Sequence, residues 1–394
     1  MTAGVSGERV GGRAAGVGAL AIVVGVGYLQ ATMGWRQATL FGVGAAAGLV
    51  LYHAAFGFTS AWREFIADRR GSGVRAQMVM LALTVVAFVP LLSWGSPVWG
   101  QALRGSAAPI GVALVTGAFV FGVGMQLGGG CASGTLYSAG GGSTRMFVTL
   151  AFFILGSLAG TAHAPFWETM PQRPAVSLLV EFGPWPAVGV SLAVIAMVFA
   201  TVRWFESRAH GRVVALADAA RGGQVRVFRG PWALMWGAVG LAAVNVATLL
   251  LAGRPWGVTS AFALWGAKSA QAAGVDVLEW PYWAVPARAA SIAAPVIADV
   301  TSVMNFGIML GAFVAAGVAG RLSPVWRVPA RSLLAAAIGG LMLGYGARLA
   351  SGCNIGAYFS GVASTSLHGW IWFLCAFAGS YLGTRIRPVF GLGR

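Results

Sequence analysis

Gly122-Val-Gly-Met-Gln-Leu-Gly-Gly-Gly-Cys131-Ala-Ser-Gly134 recurs 222 positions later as Gly344-Tyr-Gly-Ala-Arg-Leu-Ala-Ser-Gly-Cys353-Asn-Ile-Gly356. Gly122/Gly344, Gly124/Gly346, Leu127/Leu349, Gly130/Gly352, Cys131/Cys353, Gly134/Gly356 and Ser138/Ser360 coincide at that offset. A second pair, Phe56-Gly-Phe-Thr-Ser-Ala-Trp62 and Trp256-Gly-Val-Thr-Ser-Ala-Phe262, is offset by 200. Both halves carry the two motifs in the same order, so the chain is a duplicated unit. Only three Cys occur in 394 residues, and the duplication puts one in each half.

The segments around these motifs are oily. Of the residues 58% are apolar and 9% charged, against about 25% charged in soluble domains. Uncharged runs of the roughly 20 residues that a spanning helix needs recur along the chain. They predict helices near 16–33, 39–57, 77–95, 108–128, 146–163, 185–204, 232–252, 302–320, 331–350 and 367–386. The stretch from Ala14 to Leu29 is apolar without a distinct small-residue cleavage site, and it is read as a first span.

A net charge of +16 raises the question of nucleic acid, but the basic residues sit in loops between spans. Arg9 and Arg13 precede the first helix, and Arg63, Arg69, Arg70 and Arg75 follow the second. The loop 203–229 carries Arg203, Arg208, Arg212, Arg221, Arg226 and Arg229. Arg321, Arg327 and Arg331 follow the eighth helix, and Arg385, Arg387 and Arg394 close the chain. Counting spans puts all these clusters on one side, which the positive-inside rule makes cytoplasmic, with both termini inside. The other side is poorer in charge, with Asp276 and Glu279 beside an interfacial belt of Trp280, Tyr282 and Trp283. Membrane lipid is thus the expected surroundings, and no nucleic-acid partner is expected.

On that topology the helix entering Cys131 runs inward and the helix entering Cys353 runs outward. Thr59-Ser60 and Thr259-Ser260 are opposed in the same way. The fold class is therefore an all-α polytopic membrane protein with an inverted-topology repeat, about ten spans and short re-entrant helices. Repeat one covers about 37–163, a connecting helix and basic loop about 185–230, and repeat two about 232–388. Such repeats commonly place a substrate path at their interface.

Residues 128–142 are uncharged and rich in Gly. One straight helix is excluded there, since each interior Gly costs about 1 kcal/mol relative to Ala. Non-helical backbone at membrane depth must be buried or line a watery cavity. Half-helices are expected after each motif, over Ser133–Ala139 and Asn354–Val362, with N-termini that favour an anion. Two such starts, each with a thiol at its tip, would aim at one central site. Gly130, Ser133, Gly352 and Asn354 flank the thiols. Arg348 stands five residues before Cys353 at the end of a span, either as an ionisable path residue or as a snorkelling interfacial one; Gln126 is its repeat mate. Lys268, eight residues after Ser260, is a further candidate for attracting anions. Cys375 has no repeat mate and reads as packing. No metal or cofactor is expected: CxxC is missing, and His53, His163, His210 and His368 form no ligand-spaced set.

The segments Gly-Gly-Gly-Cys131-Ala-Ser-Gly and Ser-Gly-Cys353-Asn-Ile-Gly resemble the paired signatures of the YeeE/YedE family of bacterial inner-membrane thiosulfate uptake proteins, over about Phe41 to Phe390. The resemblance implies an hourglass of inverted halves with loop helices dipping in from each side. It also implies thiosulfate handed along by thiols, here Cys131 and Cys353, and a small cytosolic sulfur-carrier partner for which the loop 203–229 is a plausible dock. The family's first motif, of the form Gln-Arg-x-Arg-x-Cys-Phe-x-Ser-Ala, carries a third Cys. Here Tyr52-His53-Ala54-Ala55-Phe56-Gly57-Phe58-Thr59-Ser60-Ala61 occupies that segment, so Gly57 replaces the Cys.

Three function classes follow: uptake of thiosulfate or a related sulfur or selenium compound, a membrane thiol enzyme or sulfur-transfer protein, or a channel for an unrelated anion. A thiol is a weak S–H donor, which suits recognising a sulfur anion without trapping it. Neither motif Cys has His, Asp or Glu in its own segment, which disfavours nucleophilic catalysis. Chloride or nitrate would not need paired thiols. No Walker A pattern is present.

Overall fold

Each of the ten apolar runs forms a helix in the computed structural model, which describes residues 2–218, 227–322 and 327–393. The first half holds α1 (Thr2–Met33), α2 (Trp35–His53), α3 (Phe58–Asp68), α4 (Ser72–Trp94), α5 (Val112–Gly128), α6 (Ala132–Gly140) and α7 (Thr144–Ala162). A loop with the short α8 (Ala164–Glu168) and α9 (Leu178–Phe182) leads to α10 (Pro184–His210). In that loop β2 (Gln172–Arg173) pairs antiparallel with β1 (Ile110–Gly111), which precedes α5. The second half holds α11 (Leu234–Ala252), α12 (Thr259–Ala272), α13 (Pro281–Ala284), α14 (Pro286–Ala293), α15 (Val300–Val318) and α16 (Ala330–Leu349). A π-helical segment, Asn354–Phe359, then runs into α17 (Ser360–Ala363), and α18 (Leu367–Ile386) ends the bundle.

Among the described residues, nine helical stretches are long and apolar enough to cross a membrane. The tenth apolar run, α18, is 20 residues long and is not among the nine, since Trp, Tyr, Gly and His dilute its hydropathy. Boundaries shift, α1, α4 and α10 running longer than expected, and one changes the path of the chain. The helix predicted over 39–57 stops at His53, where Ala55 turns left-handed (φ 46°), and the chain restarts as α3. Arg221, Arg226 and Arg394 lie outside the described residues.

The halves interlock as a two-fold operation requires. Helix α2 packs on α15 while its mate α11 packs on α4; α7 packs on α16 while α18 packs on α5. The half-helices obey the same exchange: α6 lies against α15 and α17 against α4, and α3 lies against α18 and α12 against α7. Backbones touch directly at these crossings. A Cβ on Gly48 would stand 2.1 Å from the Ile308 carbonyl oxygen, and one on Gly311 2.0 Å from that of Ala45. Small residues are what allow packing this close in a membrane. Large apolar side chains such as Val23, Val86, Val115, Phe147, Leu155 and Met197 are exposed around the bundle, as a lipid-facing belt requires.

Helix α10 is fastened by a buried ion pair. Arg75 on α4 donates to Glu206 at 2.8 and 3.1 Å, with the two side chains only 4% and 1% exposed. The pair also grips the chain beyond α10: Arg75 donates to the Val214 carbonyl at 2.6 Å, and Val214 N–H donates to Glu206 at 3.2 Å. Removing one partner of such a pair strands the other charge. Glu206→Gln is therefore expected to destabilise the protein by about 3–5 kcal/mol, read as a lowered unfolding midpoint in detergent. An unchanged midpoint would show that the pair is not holding α10.

Candidate functional site

Both motif thiols are buried at the tips of half-helices. Cys131 is the N-cap of α6: its sulfur accepts from the Gly134 N–H at 3.4 Å and lies 3.4 Å from the Ser133 hydroxyl. Cys353 precedes the π-helical segment with no side-chain cap of its own. Their exposures are 2% and 0%, and both belong to one continuous core. Residues of α6 and of the π segment approach within 8 Å, Cα to Cα. Gly130 and Gly352 make the turns possible: a Cβ on either would meet the backbone N of Thr135 (3.0 Å) or of Ala357 (2.9 Å). The structure thus assigns these two glycines a steric role.

Buried polar groups without partners occur in the half-helices that follow the thiols and on α18, packed against the second of them. Among the described residues, both side-chain atoms of Asn354, the Tyr358 hydroxyl, the Trp372 indole N–H and the Thr135 hydroxyl are buried and unpaired. Burying a polar group without a partner costs roughly 1–3 kcal/mol on protein scales, so a cluster of them marks a place built for something other than packing. Stacked rings close the centre: Tyr358 lies parallel to Trp372 (7° between planes, 6.3 Å) and close to Phe373 (4.9 Å).

A cavity approaches from each face. On the basic face, one of about 320 Å³ is lined by Gly57, Ser60, Arg63, Glu64, Gln77 and Tyr137. On the opposite face, one of about 260 Å³ is lined by Arg254, Gly257, Thr259, Ser260, Arg348 and Gly352. The two repeated Thr-Ser-Ala motifs therefore flank two related cavities. At the first, Thr59 offers its backbone carbonyl to Gln126 Nε2 at 3.2 Å, and the Ser60 hydroxyl donates to the Gly57 carbonyl at 3.2 Å. At the second, Ser260 and Thr301 hydroxyls lie 3.0 Å apart. The repeat mates Gln126 and Arg348 have parted company. Gln126 is wholly buried, whereas Arg348 is half-buried, donates to the Tyr282 hydroxyl at 3.0 Å and lines the opposite-face cavity.

Lys268 is corrected by the structure. Its ammonium donates to the carbonyls of Ile292 and Ala294 (the latter at 2.6 Å), where it caps the end of α14. The opposite face is also less poor in charge than expected, and two of its arginines are engaged with the ends of neighbouring helices. Arg36 donates to the Leu251 and Ala252 carbonyls at the end of α11, and Arg254 to the Thr301 hydroxyl.

Sequence reasoning missed the residues that hold the motifs in place. The carbonyls ending α5, just before Cys131, have no helical partners. Arg145 donates to those of Leu127 (2.5 Å) and Gly128 (2.7 Å), Thr149 also to Gly128 (3.1 Å), and Arg387 to that of Gln126 (2.5 Å). Burial beside Arg63 and Arg145 draws the Arg387 guanidinium down to about 10, still charged at neutral pH. Amides serve elsewhere. Gln77 accepts from the Trp62 indole at 2.9 Å, and Asn305 donates to the Val258 carbonyl at 3.0 Å. Each is the sixth residue of its helix, α4 or α15. Asn245 accepts from Trp256 N–H at 2.8 Å and donates to Ser360 Oγ at 3.3 Å, tying α11 to α17. Buried amides at one helical position in both halves were the available signal.

A sequence model of a family described as sulphur transport matches residues 53–382. The chain is 27% identical over 353 residues to a protein of Spirochaeta thermophila named thiosulfate transporter TsuA, covering 84% of this chain and 92% of that one. It is 24% identical over 345 residues to the Escherichia coli protein of the same name, covering 83% and 88%. A shorter stretch of 144 residues is 33% identical to an E. coli protein named probable transporter YedE, covering 36% and 34%.

The grip on α5 predicts a selective effect. Replacing Arg145 with Ala frees two carbonyls from charge-assisted hydrogen bonds, each worth about 1.5–3 kcal/mol. In a Cys375→Ala background this is expected to speed maleimide labelling of Cys131 at least ~10-fold through local opening, and to leave Cys353 as slow as before. Equal acceleration at both thiols would show a general loosening of the fold.

Proposed function

The chain belongs to the sulphur transport family, a multi-pass membrane protein that moves sulfur compounds, and from that premise we propose that it takes up thiosulfate or a closely related sulfur oxyanion. The path runs through the centre of the bundle, and Cys353 and Cys131 are its successive hand-over points. The observation that carries this reading is the burial of both thiols, at the tips of opposed half-helices that carry buried polar groups without protein partners.

The chemistry is recognition by weak contacts. A dianion whose terminal sulfur is soft meets S–H donors that hold it loosely, while the N–H groups at the half-helix starts face the negative charge. Around the Cys131 sulfur stand a hydroxyl and a backbone N–H, not a base, which supports hand-over rather than covalent attack. Gly57, in the wall of the basic-face cavity, leaves that mouth lined by hydroxyls and charge where the family's motif has a thiol. The protein sits in the bacterial inner membrane with its basic face, and both termini, toward the cytoplasm, so the opposite-face cavity receives the substrate first. The units of the inverted repeat are about 37–163 and 232–388. The basic segment 203–229 is the dock for a small sulfur-carrier protein that accepts the product of uptake.

Cys131→Ala and Cys353→Ala are each expected to lower the initial rate of labelled thiosulfate uptake into proteoliposomes at least tenfold, about 1.4 kcal/mol, with assembly intact by size-exclusion chromatography. Cys375→Ala should match the parent. Full uptake in the Cys131/Cys353 double variant would sink the relay, as would equal loss on replacing Cys375.

A further inference from the structure

On the face away from the basic loops, two cavities share a wall. The cavity beside Cys353 has a neighbour of about 330 Å³, lined by Trp167, Glu168, Tyr282, Arg288, Arg348 and Ser351. Arg348 and Ser351 belong to both. Two guanidinium groups converge on Tyr282 in the outer one. Arg288 stands 3.9 Å from the ring centroid and donates to the Tyr282 carbonyl at 2.9 Å. Arg348 stands 5.7 Å from the same ring and donates to its hydroxyl at 3.0 Å. Glu168 lines this cavity too, yet among the described residues neither arginine forms an ion pair. Gly160 on α7 makes room for the arginine: a Cβ there would stand 2.6 Å from the Arg348 Cβ.

Ser351 supplies the second, independent observation. Its backbone is left-handed (φ 58°), a region that non-glycine residues rarely adopt. Its repeat mate, 222 positions earlier, is Gly129, also left-handed at φ 88°. The first half uses glycine where the turn demands it; the second keeps a serine. That serine's hydroxyl has no hydrogen bond within the described residues and lies on the wall common to both cavities. A side chain kept against backbone preference, at a junction between two cavities, points to a function there.

We propose that Arg288, Tyr282 and Arg348 form an anion-capture site on this face, and that Arg348 and Ser351 pass the captured sulfur oxyanion into the cavity beside Cys353. The proposal rests on the transport reading above and adds a stage to it. Guanidinium forks and hydroxyls fit the oxygens of a tetrahedral dianion. Capture therefore reads charge and oxygen geometry, and the thiols beyond it read sulfur.

The test separates the two stages. Thiosulfate binding is measured by calorimetry on the full chain in nanodiscs, in a Cys131→Ala/Cys353→Ala background where no relay operates. Binding is expected to persist there and to weaken about tenfold on adding Arg288→Gln. In the thiol-containing protein, Arg288→Gln and Ser351→Gly should raise KM for thiosulfate uptake more than they lower the maximal rate. Ser351→Gly is the stringent variant, because glycine suits the left-handed turn and should keep or raise the unfolding midpoint. A raised KM with an undiminished midpoint supports the hydroxyl's part in transfer; an unchanged KM overturns it. Unchanged affinity in the Arg288→Gln background overturns the capture site. Failure of the relay reads differently: uptake survives loss of both thiols, while the effect of Arg288→Gln on binding still decides the capture site.

Discussion

The whole arrangement depends on satisfying backbone where a helix stops within the bundle. Helix α5 ends at Gly128, and its last carbonyls would be orphaned wherever water does not reach them. Arg145, Thr149 and Arg387 meet them from three directions. Only with that end fixed can Gly129 turn back, Gly130 pass the start of α6, and Cys131 stand as an N-cap. The charges that make this possible are ones a count of loops would file as cytoplasmic anchors.

The duplication is faithful in packing and unfaithful in chemistry. Helix contacts exchange between halves throughout, from the long spans to the half-helices. The side chains at matching positions differ: Gln126 against Arg348, Gly129 against Ser351, an α-helical start after Cys131 against a π-helical one after Cys353. Scaffold symmetry follows from crossings at which glycines let backbones touch, and there few substitutions fit. Side chains on cavity walls carry no such restriction, so the two mouths could diverge into one lined by Arg254 and Arg348 and another by Gly57, Ser60 and Tyr137.

The spans were legible because each needs some 20 apolar residues, and that signal is local. The thiol motifs were legible because they occur twice. Half-helices α3 and α12 escaped notice: at 11 and 14 residues, beginning in a motif of Phe, Thr, Ser and Ala, they look like the ends of loops. Arg145 escaped, and Lys268 was given the wrong role, for another reason. Each acts on carbonyls distant in sequence or separated by a turn, and nothing in the residues nearby tells a capping cation from an anchoring or anion-attracting one. The break after His53 turns on the left-handed Ala55, a residue type with no preference for that conformation.

The glycine crossings limit how this molecule can move. At Gly48 against Ile308, and at Gly311 against Ala45, main chain meets main chain across the two halves, and each half threads helices between those of the other. Rocking one half against the other as a rigid body would have to prise open contacts that have no side chains to absorb the strain. Half-helix α6 is tied into the same frame, since a Cβ on its Gly140 would stand 2.2 Å from the Met309 carbonyl oxygen. A frame tied this closely is nearer to a fixed pipe than to a rocking cradle.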